Sequence, residues 1–361
     1  MKKILIAAGG TGGHFYPGFS LAKSLRQKGW EALFLLRTND PARKFLDEEG
    51  FPSVEIPLRG MPRSLSGWGR FTASLFESLR ISLNIVSDFK PDVVMGMGGY
   101  LSFPAILAAA LKRKPRLVHE SNVLIGLSNR ACVILGAKLL RGLPGPGGIL
   151  VGTPIRPSLA QTLDPVKAKE ALGFDSKIPL ILIFGGSQGA RGINLEVPPI
   201  LKNIAVQFPR RFQVLHLSGK DFESVKAAYQ GADIHVEVKD YFEEMDKAYG
   251  ACDLVISRAG ASTIAELCAQ KKPAILIPYP NAAANHQLEN AKIIENARAG
   301  IILPEENISS KLSSLIQDIL FSQGHRALIM KEGYARIPVP TPSQAEKNLV
   351  EMIENIARNK V

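Results

Sequence analysis

Some residues of this chain can do chemistry by their type and spacing. His14 sits inside the stretch Gly9-Gly10-Thr11-Gly12-Gly13-His14-Phe15-Tyr16-Pro17-Gly18. Imidazole titrates near neutrality, so a histidine among bare amides can take a proton from a hydroxyl or face a phosphate; a lone histidine also serves as an ordinary structural residue. Glu266 lies about one helical turn into Gly260-Ala261-Ser262-Thr263-Ile264-Ala265-Glu266, after the apolar run Leu254-Val255-Ile256. There a carboxylate can accept two hydrogen bonds from a ribose diol, or simply complement the positive end of a helix that Ser262 or Thr263 caps. Glycine turns recur at Gly185-Gly186-Ser187-Gln188-Gly189-Ala190 and Gly96-Met97-Gly98-Gly99-Tyr100. A glycine ahead of a helix lets an anion approach unpaired N–H groups carrying roughly half a positive charge. One such turn can exist for tight packing alone; its recurrence favours anion sites.

These residues need strands and helices to hold them. Ile4–Ala7, Ala32–Leu36, Val93–Met95 and Leu117–His119 read as strands; segments near 17–28, 40–49, 68–89 and 101–112 read as helices. That rhythm predicts βαβ units and a parallel sheet covered on both faces. It restarts at Ile181-Leu182-Ile183-Phe184-Gly185-Gly186, which repeats the pattern of Ile4–Gly13, and continues through Val214–Leu217, Leu254–Ser257 and Ala274–Pro278. Two doubly wound domains follow, 1–157 and 158–342, joined near the prolines of 154–165 and closed by a last helix at roughly 343–358.

Composition narrows the class. The 361 residues suit two domains, and Cys132, Cys252 and Cys268 form no CxxC pair, which fits a reducing compartment and no metal cluster. No apolar run is long enough to cross a membrane, and the apolar start Ile4–Ala8 is too short for a signal peptide, so a cytoplasmic protein is expected. A formal charge of +11 points to an anionic partner or to plain solubility. The dinucleotide fingerprint fails, with Phe15 at its third glycine and the second strand ending Leu35-Leu36-Arg37-Thr38 without an acid at the ribose position, which weakens a nicotinamide oxidoreductase. Basic residues are dispersed and no nucleic-acid motif occurs, so no nucleic-acid partner is expected.

Taken in order, Gly-Gly-Thr-Gly-Gly-His-x-x-Pro-Gly at 9–18, Met-Gly-Gly-Tyr at 97–100, His119-Glu120-x-Asn122, Gly-x-Pro-x-Arg at 152–156, Gly-Gly-Ser-Gln-Gly-Ala at 185–190 and Gly-Ala-x-Thr-x-x-Glu at 260–266 span nearly the whole chain. The set resembles the peptidoglycan N-acetylglucosaminyltransferases, which form lipid II. The resemblance implies an α/β protein of the GT-B class: two Rossmann-like doubly wound domains facing a cleft, with the last helix (343–361) crossing back to the first domain. It implies UDP-N-acetylglucosamine as donor, bound by the C-terminal domain, and an undecaprenyl-diphospho-muramoylpentapeptide acceptor on the N-terminal side. It further implies a peripheral enzyme on the cytoplasmic face of the cell membrane, with no cofactor.

By matched position the resemblance gives Ser187, Gln188 and the rest of 185–190 the donor diphosphate, with Arg156 nearby. Glu266 takes the ribose, Phe242 and Ala261 the uracil, and Gln287 or His286 the sugar. Thr11, Gly12, Gly13 and Asn122 complete the donor site from across the cleft. Gly152-Thr153-Pro154 departs from the family's Gly-Asn-Pro. The implied chemistry is inversion at the anomeric carbon, with His14 the preferred base and Glu120 the alternative. No Asp-x-Asp occurs, which favours a leaving group stabilised without metal. Rivals within the same architecture are a glycolipid glucosyltransferase and a UDP-sugar epimerase.

The segment 61–116 carries Arg63, Arg70, Arg80, Lys90, Lys112, Arg113, Lys114 and Arg116 against Glu77, Asp88 and Asp92. Trp68, Phe71, Leu75, Phe76, Leu79 and Leu83 recur at helical intervals within it. These apolar residues face a core or dip into an anionic membrane, and the implied lipid acceptor favours the membrane.

Overall fold

The computed structural model describes every residue except 11, 61, 63–64, 187–188, 283–284, 323 and 359–361. The chain folds as two compact units, Met1–Arg156 with Val339–Val361, and Pro157–Pro338. In the first, β1 (Lys3–Ala7), β2 (Glu31–Arg37), β3 (Ser53–Ile56), β4 (Val93–Gly96), β5 (Arg116–Glu120), β6 (Lys138–Arg141) and β7 (Ile149–Leu150) alternate with α1 (Gly12–Gln27), α2 (Ala42–Glu48), α3 (Trp68–Phe89), α4 (Ser102–Leu111) and α5 (Leu127–Ile134). The strands pair in parallel, in the order β3-β2-β1-β4-β5-β6-β7.

The second unit repeats the plan. It contains α6 (Pro165–Ala171), β8 (Leu180–Phe184), α7 (Arg191–Gln207), β9 (Gln213–Leu217), α8 (Phe222–Ala228), β10 (Val236–Lys239), α9 (Met245–Ala251), β11 (Leu254–Ser257), α10 (Ala261–Gln270), β12 (Ala274–Leu276), α11 (His286–Asn296), β13 (Gly300–Ile302), α12 (Ile308–Phe321) and α13 (His325–Gly333). Its parallel order is β10-β9-β8-β11-β12-β13. In both sheets the order reverses beside the first strand, between β1 and β4 and between β8 and β11. Such switch points open a crevice at the strands' carboxyl ends, where α/β proteins bind ligands. The central strands are apolar along their length because helices cover both faces: Ile4–Ala7 and Leu180–Phe184 are all buried.

The helix expected from residue 17 begins at Gly12 instead, so Gly12, Gly13 and His14 form the first turn of α1. First-turn amides need no intrahelical acceptor, so glycine is tolerated there. Pro17 removes one hydrogen bond further in, and the packing of its buried ring offsets that loss. Gly18 has a separate reason to be glycine. A Cβ there would meet Ala8 Cβ at 2.9 Å and Met97 Cγ at 3.0 Å, so α1 lies directly on the strand ends.

The chain's last helix, α14 (Pro342–Arg358), belongs to the first unit. Its Leu349, Val350, Ile353 and Ala357 share one core with Leu21 and Leu25 of α1 and with Val93 and Met95 of β4. Polar contacts seal the edges: Glu346 accepts from Ser24, Lys28 pairs with Glu354 at 3.4 Å, and Asn348 Nδ2 donates to the Val151 carbonyl at 3.2 Å. Gly152 lets α14 approach, since a Cβ there would sit 2.6 Å from Ala345 Cβ. We expect Ile353→Ala to cost about 2–5 kcal/mol, as a large-to-small change in a closed core does. A lower denaturant midpoint at unchanged slope is the result to look for.

Candidate active site

His14 lies, half-buried, over the switch point of the first sheet. Its Nδ1 is 2.9 Å from the Met97 carbonyl oxygen. A carbonyl only accepts, so Nδ1 carries the hydrogen and the neutral ring keeps its lone pair on Nε2. The ring rests on two glycines with positive φ, Gly98 at 99° and Gly99 at 71°. A Cβ on Gly98 would stand 2.9 Å from the imidazole, and one on Gly99 3.7 Å from Nε2. Ser102 fixes this turn from inside: its hydroxyl accepts from the Gly98 amide and donates to the Gly98 carbonyl, both at 3.0 Å. Burial holds His14 below the usual imidazole pKa, and the Glu120 charge and the Met97 bond only partly restore it.

The preceding loop is tied down by Asp40. Its carboxylate accepts from the Gly10 amide at 2.6 Å and the Ala42 amide at 3.1 Å. A Cβ on Gly9 would collide with that carboxylate at 2.6 Å. Thus Gly9 and Gly18 serve packing, whereas Gly12 and Gly13 present amides in a first helical turn. Thr11 lies outside the described residues.

Glu120 is the hub of the next loop. One carboxylate oxygen accepts from the Asn122 amide (3.0 Å) and Asn122 Nδ2 (2.9 Å). The other accepts from the Gly126 amide (2.9 Å) and Asn129 Nδ2 (3.0 Å). Burial alone would raise its pKa, but these four donors outweigh that and hold it below the usual carboxylate value. A carboxylate so occupied is a poor proton acceptor. Beneath it runs Arg141, almost wholly buried, whose guanidinium donates to the carbonyls of Asn122, Val123, Leu143 and Pro146. The same bonding places Asn122 in a fixed turn. His119 donates from Nε2 to the Gly152 carbonyl at 2.9 Å, linking this loop to the Gly152-Thr153-Pro154 turn. Thr153 is buried there, with no partner for its hydroxyl among the described residues. Arg156, at the end of the unit, lies 4.4 Å over the ring of Tyr16.

In the second unit, Gly185, Gly186 and Gly189 form the turn after β8. A Cβ on Gly185 would meet the Ala190 amide at 2.4 Å, and one on Gly189 the Ser218 carbonyl at 2.4 Å. The helix that follows, α7, has no side-chain cap. Ser187 and Gln188 fall outside the described residues. Beyond β11, α10 is capped by Gly260 with no side-chain bond, so neither Ser262 nor Thr263 takes the capping role expected above. They lie inside the first turn, and Gly260 leaves the helix amides bare. Ala261 is the first residue of that turn, and Glu266, half-buried, accepts from the Tyr249 hydroxyl at 2.9 Å. Phe242, half-buried between β10 and α9, has Lys239 Nζ 5.9 Å from its ring.

Gln287 and His286 open α11 with contrasting bonding. Gln287 Oε1 accepts from the amides of Ala259 (3.3 Å) and Tyr279 (2.9 Å), lacing the loops after β11 and β12 together. His286 Nδ1 is buried with no hydrogen-bond partner among the described residues. His286 Nδ1 is thus left with unmet hydrogen-bonding capacity, while Gln287 spends its carbonyl on the two loops.

The structure sorts the 61–116 segment. Leu75, Leu79 and Leu83 pack against the core of the first unit. Arg116 is spent on the carbonyls of Leu135 and Lys114, and Arg63 is outside the described residues. Trp68 (43% exposed) and Phe76 (73%) face solvent, as do Leu111 (60%) of α4 and Ile134 (86%) of α5, neither of them among the residues expected at a membrane. Among the described residues no helix is long and apolar enough to cross a membrane.

Two parallel-sheet α/β units, each with a glycine turn at the carboxyl end of its first strand, are the architecture of the GT-B glycosyltransferases. Residues 4–136 match the N-terminal domain of glycosyltransferase family 28, and residues 180–351 its C-terminal domain. The chain is 38% identical over 365 residues, 99% of its own length and all of the relative's, to the UDP-N-acetylglucosamine–N-acetylmuramyl-(pentapeptide) pyrophosphoryl-undecaprenol N-acetylglucosamine transferase of Elusimicrobium minutum. With the enzyme of that name from Thermodesulfovibrio yellowstonii it is 36% identical over 371 residues, again 99% of this chain and all of the other. The crystal structure of Acinetobacter baumannii MurG superposes with a TM-score of 0.77 at 25% identity, over 98% of this chain and all of that one. The chain belongs to this family of N-acetylglucosamine transferases. A UDP-N-acetylglucosamine 2-epimerase from Listeria monocytogenes, at 13% identity and a TM-score of 0.69, shares the fold alone.

Glu120→Gln would turn an amide toward N–H donors that now meet a carboxylate. We expect a loss of about 1–3 kcal/mol in stability from the unsatisfied donors, measurable by thermal unfolding.

Proposed function

We propose that this enzyme transfers N-acetylglucosamine from UDP-N-acetylglucosamine to the C4 hydroxyl of an undecaprenyl-diphospho-N-acetylmuramoyl-pentapeptide, with inversion at the sugar's anomeric carbon. The full-length likeness to transferases carrying those substrates in their names supports both partners. It also disfavours an epimerase or a glycolipid glucosyltransferase. The observation that carries the chemistry is the Nδ1–H bond from His14 to Met97, because it leaves a basic Nε2 at the switch point.

In this reading His14 Nε2 takes the C4 hydroxyl proton as that oxygen bonds to the anomeric carbon. The bond from that carbon to the diphosphate oxygen breaks in the same step, and UDP departs. Charge gathering on the diphosphate is met by the bare amides of α7, by Ser187 and Gln188, and by Arg156. Glu266 holds the ribose diol, Phe242 and Ala261 flank the uracil, and His286 and the amide of Gln287 hold the sugar. Thr11, Gly12, Gly13 and Asn122 assist donor binding. Glu120, with four donors on its carboxylate, acts as the anchor of the Asn122 turn, and His14 is the base.

The exposed apolar residues of α3, α4 and α5, with the basic side chains near them, meet the anionic cytoplasmic face of the membrane where the lipid acceptor resides. Each basic residue adds about 1 kcal/mol at such a surface. No nucleic acid takes part.

The direct test is transfer of labelled sugar from UDP-N-acetylglucosamine to a lipid-linked muramoyl-pentapeptide analogue. His14→Ala is expected to lower kcat by about 10²–10⁴ with donor KM little changed. Gly98→Ala should act similarly, because its Cβ would displace the ring.

The pH profile has a definite sign. The working form of His14 is neutral, and its pKa lies below the usual 6.5, so the acid limb of kcat/KM falls below pH 6.5. A limb at or above that value would remove His14 from the role. Anionic vesicles should sediment the protein at low salt, and Phe76→Glu should weaken that binding. Equal sedimentation with neutral vesicles would count against the membrane face.

A further inference from the structure

One cavity of the first unit has no part in the chemistry above. It is an open hollow of about 460 Å³, lined by Arg37, Leu58, Arg59, Pro62, Arg70 and Phe71, among others. Such a volume lies in the range of small-ligand sites, roughly 300–1,000 Å³. It is many times the roughly 30 Å³ that one water occupies in the liquid.

The charges around it are unbalanced. Among the described residues the lining holds three arginines and no acid. None of the three side chains has an ion-pair or hydrogen-bond partner among the described residues. Glu55, the acid of neighbouring β3, is already paired with Arg43 at 3.1 Å. Arg70 sits in the first turn of α3, where a cation opposes the helix dipole, and that turn has neither an acid nor a side-chain cap. Three guanidiniums held beside a positive helix end repel one another until an anion joins them.

Position indicates which anion. Arg37 ends β2, two residues beyond Leu35, the register partner of Ala7. One wall of the hollow, Arg37, thus stands at the same carboxyl edge of the sheet from which the His14 turn leaves. Its lining interleaves arginines with Leu58, Pro62 and Phe71, which suits a peptide bearing methyl groups and carboxylates better than a bare phosphate. Guanidinium forks match carboxylates bidentately.

We infer that the Arg37–Arg59–Arg70 cavity receives the carboxylate-bearing peptide arm of the acceptor. The inference rests on the functional reading above, in which the acceptor's sugar meets His14 and its peptide extends along the same sheet edge.

The test compares two soluble-tailed muramoyl-pentapeptide diphosphate lipids, one with free peptide carboxylates and one with them amidated. In the unsubstituted enzyme the amidated acceptor should show a KM about tenfold higher, the size of one lost charge-assisted bond. Arg37→Ala and Arg59→Ala should each raise KM about tenfold for the free-carboxylate acceptor, leaving donor KM unmoved and the melting temperature no lower. On the amidated acceptor the same substitutions should change KM less than twofold, a non-additivity that only direct pairing produces. Equal increases on both acceptors would place the acceptor's diphosphate at these arginines and overturn the peptide assignment, as would no increase on either. Transfer to neither acceptor by the unsubstituted enzyme would overturn the functional reading and this occupant with it.

Discussion

The hydrogen bond from His14 Nδ1 to the Met97 carbonyl governs the chemistry available to the first unit. It sets the tautomer, and the tautomer decides whether Nε2 can accept a proton. The partner is a backbone atom, so the bond depends on the fold and not on any one neighbouring side chain. Adjacency of β1 and β4 brings residues 14 and 97 together, and Gly18 lets α1 lie close enough. The positive φ at Gly98 and Gly99 turns the chain under the ring, and Ser102 holds that turn at both its amide and its carbonyl. Disturbing any of these moves the imidazole without touching it.

Glu120 and Arg141 show the same economy in a buried acid and a buried cation. Each spends its hydrogen-bonding capacity almost wholly on loop atoms: the carboxylate on the 122–129 turn, the guanidinium on carbonyls at both 122–123 and 143–146. A buried charge left without partners is costly, so both loops are held to the geometry that supplies them. The second unit achieves a comparable lacing with a neutral group, Gln287, bridging Ala259 and Tyr279.

Much of this was legible in the residues. Parallel buried strands are unbroken apolar runs, so Ile4–Ala7, Leu254–Ser257 and the repeat of the plan at 181 stand out. Motif order led to the family, and glycine spacing to the turns. What escaped depends on pairs distant in sequence. Asp40 under Gly10 is separated by thirty positions, and the Met97 carbonyl from His14 by eighty-three. Helix α1 starts five residues before the expected 17, because Gly12 and Gly13 already take helical geometry, a choice that glycine composition does not announce. Helix α3 misleads in the opposite way. Its buried residues include Ser74, Ser78 and Ser82, and the helix packs on the alanine-rich α4. Two of those hydroxyls bond back to carbonyls of their own helix, which lets serine pass as a core residue.

Helix α14 has a consequence for the order in which the protein is made. Residues 349–357 complete a core begun by residues 4–25, and the whole second unit is translated between them. On the ribosome the first unit therefore waits with an apolar groove along α1 uncovered, while Pro157–Pro338 holds every strand of its own sheet and can finish on emergence. Closing a loop of that length is slow but adds little entropy beyond a shorter one. The nascent chain is thus most exposed to misassociation during a defined interval, which ends when the last helix clears the exit tunnel.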